Sequence, residues 1–441
     1  MLLKYSVSNF KSIGHNIEFS MFPLENTEND QFLTEVNTEA GKMKVLRRGA
    51  FFGPNASGKT SFVKSMDFAV SYVLEGPISN SFTRVDQFRG NIEELDHLTT
   101  FQFMILVDKQ VYTYGFSLDR YYVHEEWLGI LKGTEFKLMF ERRTDEAKKT
   151  FITINSAYAR ANSKERKLAE LLAESIKEKQ AGHLFLKKLA ENGSHKADLI
   201  YSWFSNIRII YPNSTLQNWP FIVQSNKEFR DFLSHNLNAI DTGIQQISSP
   251  KEMKLVDFIE MLEKVKISAE IIKDIESIGR GTVCIDGKYY HFSDDRVWQI
   301  KFEHLLNGQK IDFNIEDESD GTQRLIDLLP ILFKQETGEN DNLIFIVDEL
   351  DRSLHTKLTK YIIKNFTDLD DGRQLLFTTH DVDLLNLDVF RQEELWFIEK
   401  TVNGETRLKP FSDFDLSASS DIIKDYLAGR FGAVPVIKEG V

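Results

Sequence analysis

The chain has 441 residues, a formal net charge of −13, 41% hydrophobic residues and 27% charged residues. This composition suits a globular protein with a large core and excludes a disordered, collagen-like or disulfide-stapled chain. The single cysteine, Cys284, rules out an internal disulfide and a multi-cysteine zinc site, and the acidic balance argues against diffuse nucleic-acid binding while leaving room for a local basic groove.

The first residues, MLLKYSVSNFKSIG, contain no signal-peptide hydrophobic region. No run approaches the roughly 20 apolar residues of a membrane span. A cytoplasmic location is therefore expected. Leu3, Tyr5 and Val7 alternate with polar neighbours, as do Ile17, Phe19 and Met21, which predicts two short strands joined by a turn at Asn9–Gly14. Residues 23–43 are polar and read as a loop. Val45–Phe52 reads as a strand entering a glycine loop, and Phe62, Val63, Met66, Ala69, Val70 and Val73 predict a helix over 61–74. Residues 98–150 read as an antiparallel meander.

Residues 155–192 are rich in Ala, Leu, Lys and Glu and read as helical, with further helices at 197–206, 226–238 and 250–278. No strict heptad is present, so a long coiled-coil arm is not expected. Strands return at 282–285 and 289–292 around Asp286-Gly287, a hairpin signal, and again at 298–304. A helix over 321–335, a strand at 343–347, a helix over 353–366, and strands at 375–378 and 395–399 follow. Such alternation implies a parallel sheet, and the expected class is α/β. The expected division is 1–154, a mainly helical insertion at 155–280, and 281–441. The 34 phenylalanines, against 13 tyrosines and 5 tryptophans, are expected to fill the core, and Cys284 is expected to be a buried structural residue.

Four stretches carry chemistry. Gly53-Pro54-Asn55-Ala56-Ser57-Gly58-Lys59-Thr60 fits G-x-x-x-x-G-K-[ST] between a strand and a helix. The glycines let backbone N–H groups close around phosphates at a helix N-terminus, Lys59 reaches the β- and γ-phosphates, and Thr60 offers a hydroxyl to Mg²⁺. Ser61, the next residue, is a further candidate for the phosphate site. Leu343–Glu349 is an apolar strand ending in Asp348-Glu349, where Asp348 would hold Mg²⁺ and Glu349 would polarise an attacking water. Glu318-Ser319-Asp320-Gly321-Thr322 precedes a helix, so Ser319 and Gly321 fit either a phosphate site or a plain N-cap. His380 follows the strand 375–378, placed either to touch the γ-phosphate or the water, or simply to end the strand.

In their chain order, Asn9-Phe10-Lys11-Ser12, the glycine loop, Ser319-x-Gly321, Asp348-Glu349 and His380, the stretches resemble the ABC-type ATPase heads of the SMC and double-strand-break-repair class and the related overcoming-lysogenization-defect family. The resemblance implies a P-loop head with an antiparallel β subdomain and a helical insertion, using ATP and Mg²⁺. It implies that Lys11 contacts phosphate, that Ser319 and Gly321 reach the γ-phosphate bound by another copy, that Asp351 lies in the D-loop, and that His380 is the switch histidine. The signature Ser-Asp-Gly-Thr departs from the Ser-Gly-Gly-Gln of transporters, and no glutamine is assignable to the Mg²⁺-binding loop, Gln87 and Gln102 being the candidates.

Asp241-Thr242-Gly243-Ile244, Leu395–Lys400 and Tyr426–Pro435 look closer still to stand-alone ATPases of abortive-infection and anti-phage systems, often described as AAA-family ATP-binding proteins. That likeness implies an ATP-dependent homodimer or higher oligomer acting on an effector, often a TOPRIM-type nuclease, with nucleic acid not required and no membrane. A DNA-maintenance ATPase is the alternative, disfavoured by the short insertion. An intrinsic nuclease is disfavoured too, because Asp381-Val382-Asp383 and the Arg373/His380 pair belong to one strand and its end.

Overall fold

The computed structural model describes residues 1–24, 32–77, 83–90, 98–145, 147–179, 182–212, 219–248, 251–265, 267–285, 288–334, 342–369, 371–414, 421–432 and 434. The Asp286-Gly287 turn and, within the carboxy-terminal stretch, Ala433 and Pro435 lie outside the described residues. The chain forms two compact units, Met1–Pro212 with Glu336–Leu350 and Thr367–Val441, and Asn213–Gln335 with Asp351–Phe366.

The first unit begins with β1 (Leu2–Ser8), β2 (Ile17–Ser20), β3 (Leu33–Thr38), β4 (Gly41–Leu46), β5 (Arg48–Phe52), α1 (Lys59–Glu75), β6 (Thr99–Val107), β7 (Gln110–Leu118), β8 (Val123–Lys132), β9 (Glu135–Thr144), β10 (Thr150–Ile154), α2 (Lys164–Lys179), α3 (Phe185–Glu191), α4 (His195–Phe204) and β11 (Ile207–Ile210). The second holds α5 (Trp219–Ser225), α6 (Lys227–Ala239), β12 (Ile244–Ile247), β13 (Lys251–Lys254), α7 (Leu255–Lys264), α8 (Ala269–Ile278), β14 (Arg280–Ile285), β15 (Lys288–Ser293), β16 (Arg296–Gln299), β17 (Phe302–Leu306), β18 (Gln309–Phe313), α9 (Asp320–Leu328) and most of α10 (Thr356–Thr367). The chain completes the first unit with β19 (Ile344–Val347), β20 (Gln374–Thr379), β21 (Leu395–Lys400), β22 (Thr406–Pro410) and α11 (Ile422–Leu427).

The first unit contains two large sheets. One is antiparallel, in the order β10-β9-β8-β7-β6-β1-β2. The other runs β11-β19-β20-β5-β21-β22, parallel apart from its last strand. β5, β19 and β20 are buried at every position, as strands covered on both faces must be. Phe62 of α1 joins the two sheets, its ring 5.9 Å from Tyr5 of β1 and 4.7 Å from Phe51 of β5. The expected α/β class with an antiparallel layer is what the chain adopts.

Several expectations change. The polar stretch 23–43 contains β3 and enters β4, a hairpin whose side chains are mostly solvated and so lack an apolar stripe. The predicted helix over 250–278 divides into β13, α7 and α8, with Ser268 capping α8 by accepting from the Ile271 N–H. The strand at 298–304 is two strands in two different sheets, β16 and β17. The helix over 321–335 stops at Leu328 and tightens into a 3₁₀ turn at Leu329–Leu332, where Pro330 removes a backbone donor. Cys284 is exposed rather than buried, because β14 alternates and Cys284 takes its solvent side. Phe136 and Phe151 are also exposed, though most phenylalanines near α1 are core.

The three-part division by sequence cuts across the two units. Helices α2 to α4 join the core of the first: Ala169, Leu172, Leu186, Ile200 and Phe204 share one apolar cluster with Phe103, and the Phe204 ring sits 5.2 Å from that of Phe103. β11, which no predicted element covers, pairs with β19 in register Ile207↔Ile344. Four residues carry too little periodicity to announce a strand whose partner lies far along the chain.

Candidate functional site

The glycine loop leaves the carboxyl end of β5 and enters α1. Gly58 takes φ 113° and Ala56 φ 62°, left-handed conformations that turn the chain sharply. A Cβ on Gly58 would lie 1.9 Å from Thr406 Oγ1, and one on Gly53 would lie 2.3 Å from the Ile398 carbonyl oxygen. Both positions therefore require glycine. Lys59 is buried and its Nζ donates to the carbonyls of Gly53 (2.7 Å) and Pro54 (3.1 Å), folding back over its own loop. His380 Nδ1 stands 3.4 Å from that Nζ. The two meet because β20 lies beside β5 with Thr379 paired to Phe52.

The acidic pair ends β19, one strand further along. Asp348 is buried, and the Thr378 hydroxyl donates to its Oδ1 at 2.6 Å. The Glu349 N–H donates to the same hydroxyl at 2.8 Å, so one threonine of β20 orients both acidic residues. Glu349 has φ 52°, a left-handed conformation that costs a non-glycine residue about 1–2 kcal/mol. Strain of this kind concentrates at functional sites.

Thr406 and Tyr211, outside the motifs, and Ser12, which ends the Asn9–Ser12 stretch, complete this arrangement. Thr406, fully buried at the start of β22, donates its hydroxyl to the Ser57 carbonyl (3.1 Å) and lies 2.8 Å from Ser12 Oγ. Ser12 in turn donates to Ser61 Oγ at 2.8 Å. Tyr211, just beyond β11, donates to Asp67 of α1 at 2.7 Å. Burial, that bond and the charges of Asp67 and Asp348 hold the Tyr211 phenol well above its ordinary range. Only its place after a strand could have marked Tyr211. No local pattern marks Thr406.

Lys11 pairs with Asp86 at 2.8 Å, and its N–H donates to the Asp86 carbonyl at 2.7 Å. The Lys11 ammonium is the main reason the Asp86 carboxyl lies below its usual range. Of the candidate glutamines, Gln87 follows Asp86, whereas Gln102 donates to Thr113 between β6 and β7 of the antiparallel sheet. Asn55 and Thr60 are exposed. A cleft of about 910 Å³ is lined by the loop from Gly53 to Ser57, His380 and Glu399, and by the carboxy-terminal stretch, whose Tyr426 and Phe431 rings stack on Phe397 of β21 at 5.4 and 5.7 Å.

Ser319, Gly321 and Asp351 lie in the second unit. Ser319 is the N-cap of α9, its Oγ accepting from the Thr322 N–H at 3.2 Å. A Cβ on Gly321 would lie 2.9 Å from the Ser353 carbonyl oxygen. The glycine is thus required by a close backbone approach from the segment after the acidic strand. The Asp351 carbonyl accepts from the Leu354 N–H at 3.0 Å.

The residues present suit a phosphate group and Mg²⁺. Ser57 Oγ is buried without a partner inside the loop. The Thr60 hydroxyl and the Asp348 carboxylate are oxygen donors of the kind that would suit Mg²⁺ if phosphates completed its shell.

Residues 50–388 match the model of the family described as "AAA domain, putative AbiEii toxin, Type IV TA system". No curated protein matches the chain. Three SMC heads are among the similar solved structures. The SMC head bound to the C-winged helix domain of ScpA is 13% identical, with a TM-score of 0.41 over 92% of this chain and 96% of that chain. The SMC head domain from Thermotoga maritima is 12% identical, with a TM-score of 0.32 over 93% and 98%. The Smc head with an extended coiled coil, bound to the C-terminal domain of ScpA derived from Pyrococcus furiosus, is 13% identical, with a TM-score of 0.36 over 96% and 99%. Since the matched family model spans most of the chain, from the strand before the glycine loop to beyond His380, the chain belongs to the AAA-domain family that carries this AbiEii, type IV toxin–antitoxin description.

Proposed function

We propose that the chain is an ATP-binding and ATP-hydrolysing switch of an anti-phage, abortive-infection system, which assembles with further copies of itself on ATP and thereby controls an effector protein, with a nuclease as the effector class. The observation that carries the reading is the apposition of Lys59 and His380 over the glycine loop, with Asp348 and Glu349 bonded to Thr378 on the strand that immediately precedes His380. The AbiEii and toxin–antitoxin wording of the family supports the defence setting.

In this reading Gly53, Asn55, Ser57, Gly58 and Ser61 surround the phosphates and Lys59 neutralises them, exchanging its loop carbonyls for phosphate oxygens. Thr60 and Asp348 would hold Mg²⁺, which would supply neutralisation of the phosphate charge. Glu349 takes the proton of the attacking water. His380 orients that water or the γ-phosphate. Lys11 leaves Asp86 for the nucleotide. Ser319, Gly321 and Asp351 act on the nucleotide held by a second copy, so one chain cannot complete its own site and ATP shifts the population toward the assembled form.

The test is subunit mixing. Ser319→Arg and Lys59→Ala proteins are each expected to be inactive, and their mixture to regain ATP hydrolysis, since one hybrid site then has both halves intact. An active Ser319→Arg protein, or a mixture that stays inactive despite demonstrated subunit exchange, refutes the shared site.

A further inference from the structure

We infer that His304 is a positioning residue for the Ser319–Gly321 turn, and that the Asp241–Ile244 segment, which the nucleotide site leaves unexplained, serves to seat it. The inference rests on the shared-site reading above. β12 pairs with β17 so that Ile244 lies opposite His304. Gly243, with φ 85°, passes so close to the imidazole that a Cβ there would lie 3.2 Å from Nδ1. The other ring nitrogen, Nε2, stands 2.7 Å from Glu318 Oε1, within hydrogen-bond distance. Phe313 closes the pocket with its ring 4.6 Å from the imidazole.

Glu318 is the residue immediately before Ser319, and both partners of the pair are shielded, with His304 13% and Glu318 6% exposed. The main chain of Glu318 is engaged as well: its N–H donates to the Ile315 carbonyl at 3.2 Å and its carbonyl accepts from Gln323 Nε2 at 2.9 Å. The imidazole thus fixes the residue from which the turn departs. The seat itself is stiff. Thr242 Oγ1 donates to the Leu237 carbonyl at 2.9 Å and accepts from the Ile244 N–H at 3.3 Å, tying the segment to the end of α6. Glycine at 243 suits the left-handed turn, and a Cβ there would crowd the ring.

The experiment compares His304→Ala and His304→Gln in the full chain, measuring kcat and KM for ATP, affinity for a fluorescent ATP analogue, and activity in subunit mixtures. His304→Ala is expected to lower kcat about ten- to a hundredfold with analogue affinity unchanged, as a displaced positioning group does. His304→Gln, which keeps a donor toward Glu318, is expected to recover most of that loss. Mixing is the readout that a general structural defect would not reproduce: His304→Ala should be rescued by Lys59→Ala subunits and not by Ser319→Arg subunits. Unchanged kcat in His304→Ala, joint loss of analogue affinity, or rescue by Ser319→Arg overturns the inference. If Ser319→Arg itself hydrolyses ATP normally, the shared-site reading fails first and takes this inference with it. If Ser319→Arg is inactive while His304→Ala is normal, only the role of His304 is lost.

Discussion

The Thr406 hydroxyl donates to the Ser57 carbonyl across 3.1 Å, so the first residue of β22 supports the glycine loop. It also occupies the place that a side chain on Gly58 would need. Thr406→Val keeps the shape and removes the bond. It is expected to weaken nucleotide affinity about three- to tenfold, the worth of one buried hydrogen bond, with little change in melting temperature. Titration with a fluorescent ATP analogue checks this, and unchanged affinity would show that β22 merely packs there.

Lys59→Ala removes the ammonium that spans Gly53, Pro54 and His380. Nucleotide affinity is expected to fall by at least about a hundredfold, since charge-assisted bonds to phosphate exceed neutral ones. Isothermal titration calorimetry provides the measurement. Retention of wild-type affinity would remove Lys59 from the phosphate site.

Glu349 combines a carboxylate with a left-handed backbone. Glu349→Gln is expected to bind ATP, hydrolyse it more than about a hundredfold more slowly and accumulate in the assembled form on size exclusion. Glu349→Gly is expected to be equally slow yet more stable to urea by roughly 1 kcal/mol, because glycine relieves the strain. A destabilised glycine variant would contradict the strain argument.

Gly321→Ala tests the close approach to Ser353. The added methyl meets a backbone oxygen, which cannot swing aside as a side chain would, and a loss of roughly 1–3 kcal/mol is expected. Denaturant unfolding reads it directly. A neutral result would mean that the turn yields without cost.

Burial pushes the Asp327 carboxyl up to about 7, with Arg324 opposing the shift. Between its unfolded value near 3.8 and about 7 the folded chain holds a proton that the unfolded chain has lost. Stability therefore falls as pH rises through that window, by up to about 1.4 kcal/mol per pH unit, and levels off above it. Asp327→Asn is expected to flatten this slope and to be more stable than the parent at pH 8. Chemical denaturation at a series of pH values measures both effects, and parallel curves for the two proteins would contradict them.

The glycine loop, the acidic strand and the histidine were legible because each is a local pattern. The loop needs glycines at fixed spacing to make its turn, and a strand buried on both faces reads as an unbroken apolar run, as Ile344–Val347 does. β3 and the first part of β4 were not legible, because a solvated hairpin carries no apolar stripe, whereas Val45 and Leu46 at the end of β4 are buried and fall within the strand read over 45–52. β11 was not, because its four residues gain their meaning from β19. Cys284 faces solvent because one residue of register decides which side of a strand a side chain takes.

By itself the sequence determined the α/β class, the phosphate loop and the carboxylates, since backbone conformation, side-chain charge and apolar periodicity are properties of neighbouring residues. The tertiary structure decided what holds them. Thr406 behind Ser57, Thr378 between Asp348 and Glu349, and His304 against Glu318 are contacts between segments distant in the chain, or between strands whose register sets the pairing. Hydrogen bonds of about 3 Å are satisfied only by positions in space, and no spacing along the chain encodes them.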